Sequence, residues 1–223
     1  MTVPDGADVL SWIRANLYVP VVCDILDSLG YRDQAMHQRL RPLDVDCCTI
    51  VGWARTIRWM AVDHVDAGDP YGLEIDATDA LRPGDVVVHS TDYTGTIVPW
   101  GELMTTAAVQ RGAVGCVCDC MIRDCQRIRA MRFPVFHAGI RPLDSKGRGR
   151  VMAYDVPVRC GEVLVHPGDL IFADFDGVVA VQASVVPQAL EAAAEKVGME
   201  NVTRQELLAG RTLRDVYNQY GVL

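Results

Sequence analysis

The stretch Trp100 to Asp124, WGELMTTAAVQRGAVGCVCDCMIRD, constrains the fold more than any other part of the chain. It reads as a glycine-led helix start, a helix over about 102–111, a glycine turn, and a strand over 115–121 too apolar to face water on either side. A second such run, Val86 to His89, precedes it behind the tight turn Leu81-Arg82-Pro83-Gly84-Asp85. Strands of this kind need helices packed over them, so an α/β fold is expected.

The flanking sequence supplies those helices. Apolar residues at helical spacing predict helices near 7–16 and 20–29, interrupted at Pro20 and stopped at Gly30. Thr49 to Ile57 is a strand whose Gly52 marks a bulge or a close backbone approach. His64 to Ala80 reads as an acidic loop, Cys125 to Met131 as a helix, Phe133 to Phe136 as a short strand and Gly139 to Arg150 as an exposed loop. Short strands then follow over 151–158, 163–165, 170–174 and 178–182, separated by Gly-Asp and Pro-Gly turns.

A helix from about Pro187 towards Val197 and an amphipathic stretch over 204–217 close the chain. With no long linker, low-complexity tract or fixed-period repeat, residues 1–223 are expected to form a single α/β domain with helical termini. Residues 187–223 would be a helical extension whose Leu207, Leu208, Leu213, Val216 and Tyr217 cover a neighbouring subunit. The Pro-Gly-Asp turns at 83–85 and 167–169 are alike, but this turn is generic enough to be favoured over an internal duplication.

Several function classes are excluded on general grounds. A formal charge of -8 and a pI near 5.0 give no basic field for nucleic acid. The first residues lack the basic and apolar regions of an export signal, and no segment approaches the ~18 apolar residues of a membrane span, so a cytoplasmic protein is expected. In that setting the eight cysteines are expected to be free thiols. Cys116, Cys118 and Cys120, spaced along a buried strand, are packing residues rather than zinc ligands. Asp174-Phe175-Asp176-Gly177 is a turn rather than a calcium loop. The histidines form no metalloprotease pattern, and there is no P-loop or nucleophile elbow.

Two features can carry chemistry. At Gly101-Glu102-Leu103-Met104 the free amides of a helix start can bind an anionic group, and Gly101 lets a ligand approach closely. The same residues also read as an ordinary helix N-terminus. Arg123-Asp124 sits just past a buried strand, where α/β sheets bind ligands. Arginine can grip a carboxylate with two hydrogen bonds, and aspartate is a hard ligand for Mg²⁺. Taken alone, the pair reads equally as a surface salt bridge.

The order and spacing of several segments resemble the RraA-like family, which includes metal-dependent (class II) pyruvate aldolases acting on 4-hydroxy-4-methyl-2-oxoglutarate and 4-carboxy-4-hydroxy-2-oxoadipate. The matching pieces are Cys23-Asp24 with Asp27-Ser28-Leu29-Gly30, Leu40-Arg41-Pro42-Leu43, Arg82-Pro83-Gly84-Asp85-Val86, Trp100-Gly101-Glu102-Leu103, Arg111-Gly112 with Gly115, Arg123-Asp124, Pro134-Val135-Phe136, Pro167-Gly168-Asp169-Leu170, and Asp174 with Asp176-Gly177-Val178-Val179.

The resemblance implies a swivelling β/β/α fold assembled as a homotrimer or a dimer of trimers, with active sites between subunits. It implies a lyase that cleaves a 4-hydroxy-2-oxo acid to pyruvate and a second oxo acid through an enolate, with oxaloacetate decarboxylation as a second activity. In that scheme Arg123 and the amides of Glu102, Leu103 and Met104 hold the pyruvyl group. Asp124 binds Mg²⁺ or Mn²⁺, Glu102 supports the surrounding waters, and Glu200 joins from the neighbouring subunit.

The loops 64–72 and 146–150 are candidates for selecting the far end of the substrate. The family's other branch comprises non-catalytic regulators that bind RNase E and carry an acid three places after the aspartate. Here that place is Arg127, which favours the aldolase pattern, acid-x₂₀-Arg-Asp. Glu102 is one methylene longer than the aspartate of typical aldolases, and Cys120 stands where a glycine is common, so the substrate stays open.

Overall fold

The computed structural model describes residues 3, 4, 6 and 9–222. The chain begins with two helices, α1 (Val9–Asn16) and α2 (Val19–Ser28), close to the bounds expected from their apolar spacing; residues 7 and 8 of the first expected helix lie outside the described residues. Pro20 sits in the first turn of α2, where its missing N–H costs nothing. The two helices meet at a bend of 103°, and no single helix among the described residues is long and apolar enough to cross a membrane.

The central layer is an eight-stranded mixed sheet. In chain order its strands are β1 (Arg41–Pro42), β2 (Ile50–Ala61), β3 (Asp85–Ser90), β4 (Gly115–Ile122), β5 (Val135–Ile140), β6 (Gly149–Tyr154), β9 (Leu170–Asp174) and β10 (Gly177–Val181). A separate hairpin pairs β7 (Val158–Cys160) with β8 (Val163–Val165). Across the sheet the order is β1-β5-β4-β3-β2-β9-β10. Strands β2 to β5 run parallel, whereas β1, β6, β9 and β10 are antiparallel additions.

The long strand β2 organises these additions. Its start, Ile50 to Trp53, pairs with β9, and its end, Ile57 to Ala61, pairs with β6 across a register shift at Arg58 and Trp59. Gly52 is the point of close approach that its place in a strand suggests. A Cβ there would stand 2.4 Å from the Gly84 carbonyl oxygen and 2.6 Å from Val114. Gly84 and Gly168, in the two Pro-Gly-Asp turns, both have positive φ, and in each turn the aspartate side chain accepts from a backbone amide three residues back. The two segments thus share the same turn chemistry.

Helices cover the sheet. On one face α1, α2 and the long α6 (Val186–Leu208) enclose a core with Val51, Phe172 and Val179. Part of the other covering is α3 (Leu73–Asp79), α4 (Glu102–Gln110) and α5 (Cys125–Ala130); Ala77, Ala108 and Ile128 from these helices join Cys116, Cys118 and Cys120 in another core. The cysteines are free and buried packing residues, as expected.

Three local expectations are corrected. The 64–80 segment holds helix α3, whose inward residues are Glu74, Ala77 and Thr78, so it has no apolar stripe to betray it. The loop expected over 139–150 is shortened by β5 and β6 to 141–148. At the end of the chain α6 runs unbroken to Leu208 through Gly198, and residues 209–212, with Gly210 at φ +88°, separate it from α7 (Leu213–Tyr220).

Candidate active site

The Arg-Asp pair and the helix start are brought together by one backbone contact. Trp100 forms an isolated parallel bridge with Ile122, and the Arg123 amide donates to the Trp100 carbonyl at 3.0 Å. The last residue of β4 is thereby tied to the segment that opens α4. Behind this contact Trp100 is 1% exposed and packs on Phe133 and on His89. His89 in turn accepts from Trp59 Nε1 at 2.9 Å. Complete burial pushes His89 down to about 3, so its imidazole is a neutral structural acceptor.

Gly101 precedes α4 with an extended φ of −153°, a conformation any residue adopts. What requires glycine is space: a Cβ would lie 2.8 Å from Asp124 Oδ2 and 3.1 Å from Arg123 Cγ. The close approach expected at this glycine is therefore used first by the chain's own Arg-Asp pair. Asp124 has a left-handed φ of 58° and caps α5 with its carbonyl, which accepts from the amides of Arg127 and Ile128. Aspartate is one of the few side chains that tolerate this backbone, which turns the carboxylate out beside the α4 start.

The Glu102 amide donates to Asp124 Oδ2 at 3.2 Å, and Arg123 Nε lies 3.7 Å from the same oxygen. Arg123 also donates to the Leu143 carbonyl at 3.1 Å, and its Nη1 lies 3.8 Å from Asp144. The guanidinium is thus held in place with N–H groups to spare. The next helix-start amides, of Leu103 and Met104, belong to the turn that has no carbonyl partners of its own.

These residues open onto a cleft of about 370 Å³ lined by Gly101, Leu103, Met104, Arg123 and Asp124 together with Tyr71, Glu74, Asp144, Ser145 and apolar side chains. Five of the expected site residues therefore meet in one place. The Glu102 side chain is not among the lining groups; its carboxylate accepts from the Thr106 hydroxyl at 3.1 Å. Glu200 stands apart on α6, where it accepts a hydrogen bond from Tyr18 and lies 3.9 Å from Lys196.

Glu74, Asp144 and Ser145 were not visible as site residues in the sequence, and Tyr71 only as a member of a candidate loop. Glu74 is 7% exposed, accepts from Ser145 Oγ at 2.9 Å, and is pushed up to about 7 by burial, with the Asp144 charge adding to the shift. Tyr71 donates to Asp144 Oδ2 at 3.3 Å. The 146–150 loop contributes no lining group: the Lys146 amide caps Asp144, Arg148 donates to the Asp144 carbonyl, and Arg150 is paired with Asp66.

The donor set fits a divalent cation that keeps most of its water. Among the described residues no three His, Cys, Asp or Glu side chains cluster as a metal cage. Asp124 is a single half-exposed carboxylate whose hydrogen bond and ion pair both fall on Oδ2, so Oδ1 keeps its acceptor capacity. One carboxylate with open surroundings suits Mg²⁺ or Mn²⁺, not a structural zinc.

Residues 19–180 match the RraA-like family model described as Aldolase/RraA. A protein of Halalkalibacterium halodurans, named provisionally as a 4-hydroxy-4-methyl-2-oxoglutarate aldolase, is 32% identical over 180 residues, covering 80% of each chain. An uncharacterised protein of Methanocaldococcus jannaschii is 36% identical over 121 residues, which span 53% of this chain and 57% of that one. Among solved structures, RraAS2 of Streptomyces coelicolor, described as an unusual member of the RNase ES inhibitor RraA family, superposes with a TM-score of 0.79 at 28% identity, covering 92% of this chain and 98% of that one.

Proposed function

The chain belongs to the RraA-like family, and from that premise we propose that it is a divalent-metal-dependent lyase that releases pyruvate from a 4-hydroxy-2-oxo acid. The observation that carries this reading is the meeting of the α4 start, Arg123 and Asp124 in a single cleft. A relative named provisionally as an aldolase supports it.

The pyruvyl carboxylate and carbonyl would lie against Arg123 and the Leu103 and Met104 amides, whose positive ends complement two adjacent acceptor groups. Mg²⁺ or Mn²⁺ held by Asp124 would supply Lewis-acid polarisation of the carbonyl. As the C3–C4 bond breaks, its electron pair moves towards the carbonyl oxygen to give the enolate, and the fixed Arg123 guanidinium faces the charge that develops there. The C4 hydroxyl loses its proton and becomes the carbonyl of the second product. We assign that proton to a water in the cleft, which Glu102 on the first turn of α4 would help to hold once turned from its bond with Thr106, and return of a proton to C3 completes pyruvate. Oxaloacetate decarboxylation passes through the same enolate and is expected as a second activity.

The active form in this reading is a homotrimer or a dimer of trimers in which Glu200 of a neighbouring subunit joins the site. The purified protein with Mg²⁺ should release pyruvate from a 4-hydroxy-2-oxo acid or from oxaloacetate. Asp124→Ala should abolish that release, and equal activity in the variant would remove the proposal.

The likeness to RraAS2 supports a second reading, a non-catalytic regulator that binds RNase E. Tight RNase E binding without pyruvate release from any of a panel of oxo acids would favour it. Arg127, standing where such regulators carry an acid, weighs against it.

A further inference from the structure

The Arg-Asp pair lines a second hollow besides the cleft, and the two differ in charge. This hollow, of about 630 Å³, shares Arg123 and Asp124 with the cleft and adds Arg127 and Arg141. Its described lining sets three guanidiniums against one carboxylate, whereas the cleft sets Arg123 against Asp124, Glu74 and Asp144. Both added arginines are anchored through the residues on either side of Arg123. The Arg127 amide donates to the Asp124 carbonyl at 2.9 Å, and the Arg141 amide donates to the Ile122 carbonyl at 3.0 Å. Arg141 Nη1 also donates to the Gly95 carbonyl at 2.6 Å, which holds the guanidinium and leaves its other N–H groups for a ligand. Arg129, on the same helix as Arg127, is paired with Asp44 at 3.4 Å. Among the described residues Arg127 itself has no ion pair and no side-chain hydrogen bond, and it faces this hollow.

We infer, resting on the oxo-acid reading of the site, that Arg127 and Arg141 are specificity-determining residues that bind a second carboxylate of the substrate. A pyruvyl head held by Arg123 and Asp124 touches groups that line both hollows, so a tail can enter either. In the cleft a tail carboxylate would meet Asp144 and Glu74, and the one described cation there, Arg123, already lies 3.7 and 3.8 Å from two carboxylates. The second hollow supplies two further guanidiniums, and each can grip a carboxylate through two parallel hydrogen bonds. Like charges gathered in one place repel, and an anionic tail between them offsets that repulsion. The attraction is local, because the chain as a whole carries a formal charge of -8 and opposes a dianion. The site therefore favours dicarboxylic oxo acids, oxaloacetate among them.

The experiment measures binding, which does not depend on turnover. The full chain with Mg²⁺ is titrated by calorimetry with 2-oxoglutarate and with 2-oxopentanoate, which share a head and a chain length, differ by the tail carboxylate, and lack the C4 hydroxyl needed for cleavage. 2-Oxoglutarate should bind at least about tenfold more tightly. In Arg127→Gln and in Arg141→Gln the ratio should fall to within about threefold through loss of 2-oxoglutarate affinity, with 2-oxopentanoate still bound as a sign that the head site is intact. Arg127→Lys, which keeps the charge but not the planar fork, should hold an intermediate ratio. Equal or weaker binding of 2-oxoglutarate by the wild-type protein, or binding of neither acid, overturns the inference whether or not the variants fold. An unchanged ratio in a folded glutamine variant overturns the role given to that arginine. The lyase reading is judged separately by pyruvate release. A 2-oxoglutarate preference without cleavage of any 4-hydroxy-2-oxo acid sinks that reading alone, whereas cleavage without the preference sinks this inference alone.

Discussion

At the scale of single residues, Gly101, Asp124 and Glu74 make separable demands. A methyl group at residue 101 would press on Asp124 Oδ2 at 2.8 Å while the backbone stayed in an allowed conformation. Gly101→Ala should therefore lower pyruvate release by roughly a hundredfold through displaced catalytic groups, with only a small change in melting temperature. Asp124→Asn keeps a residue that tolerates the left-handed backbone but removes the charge. It should fold like the wild type by circular dichroism and release no pyruvate. Glu74 makes the pH prediction. Its folded value, about 7, is raised above the ordinary 4.5 by burial, so the folded state holds the proton more tightly than the unfolded one. Stability is then lost as pH rises from about 4.5 through 7, by up to ~3 kcal/mol in linkage terms. Glu74→Gln, which cannot ionise, should match the wild type near pH 4 and exceed its urea-unfolding stability near pH 8, in proportion to that loss. A constant difference across this range would show that burial does not penalise the Glu74 charge.

At the scale of elements, the helix-strand unit α4–β4 was legible because its apolar runs and glycines announce themselves locally, and the Arg-Asp pair could be placed by strand polarity alone. Helix α3 was not, because Gly68, Pro70 and Gly72 precede it and its buried face is built around a glutamate and a threonine. The same obscurity hid Glu74 as a site residue: an acid in an acidic segment reads as solvated until its burial is seen. Asp144 and Ser145 lie in a loop with no periodicity, and only tertiary folding brings them opposite Arg123. Gly52 was readable as a close approach, although its partner, the turn at Gly84, was not. Because backbone cannot move aside as a flexible side chain can, Gly52→Ala should destabilise the chain by about 3 kcal/mol, at the upper end for overpacking a core. Chemical denaturation will show this as a lower midpoint with an unchanged slope.

At the scale of the whole molecule, the α6–α7 end carries an exposed apolar surface. Leu208 is 75% exposed and Leu213 53%, beside a half-exposed Met199 and Tyr217, more apolar surface than the end of a solitary helix needs. Glu200 lies on the same helix, away from its own chain's cleft. If these helices dock on a neighbour in a closed trimer and carry Glu200 into that neighbour's site, each site needs Asp124 from one chain and Glu200 from another. Asp124→Asn and Glu200→Gln proteins would each be inactive alone. Unfolded together and refolded as an equal mixture, they should recover about a quarter of wild-type activity, because about one site in four pairs an intact Asp124 with an intact Glu200. Mass measurement by light scattering on the same sample gives the assembly as a multiple of the 24.5 kDa chain. Recovery in a particle of three or six chains requires sites shared between subunits, since no chain in the mixture holds both groups. A fully active Glu200→Gln protein would instead assign Glu200 to its bond with Tyr18 alone and leave the cleft to be completed within one chain.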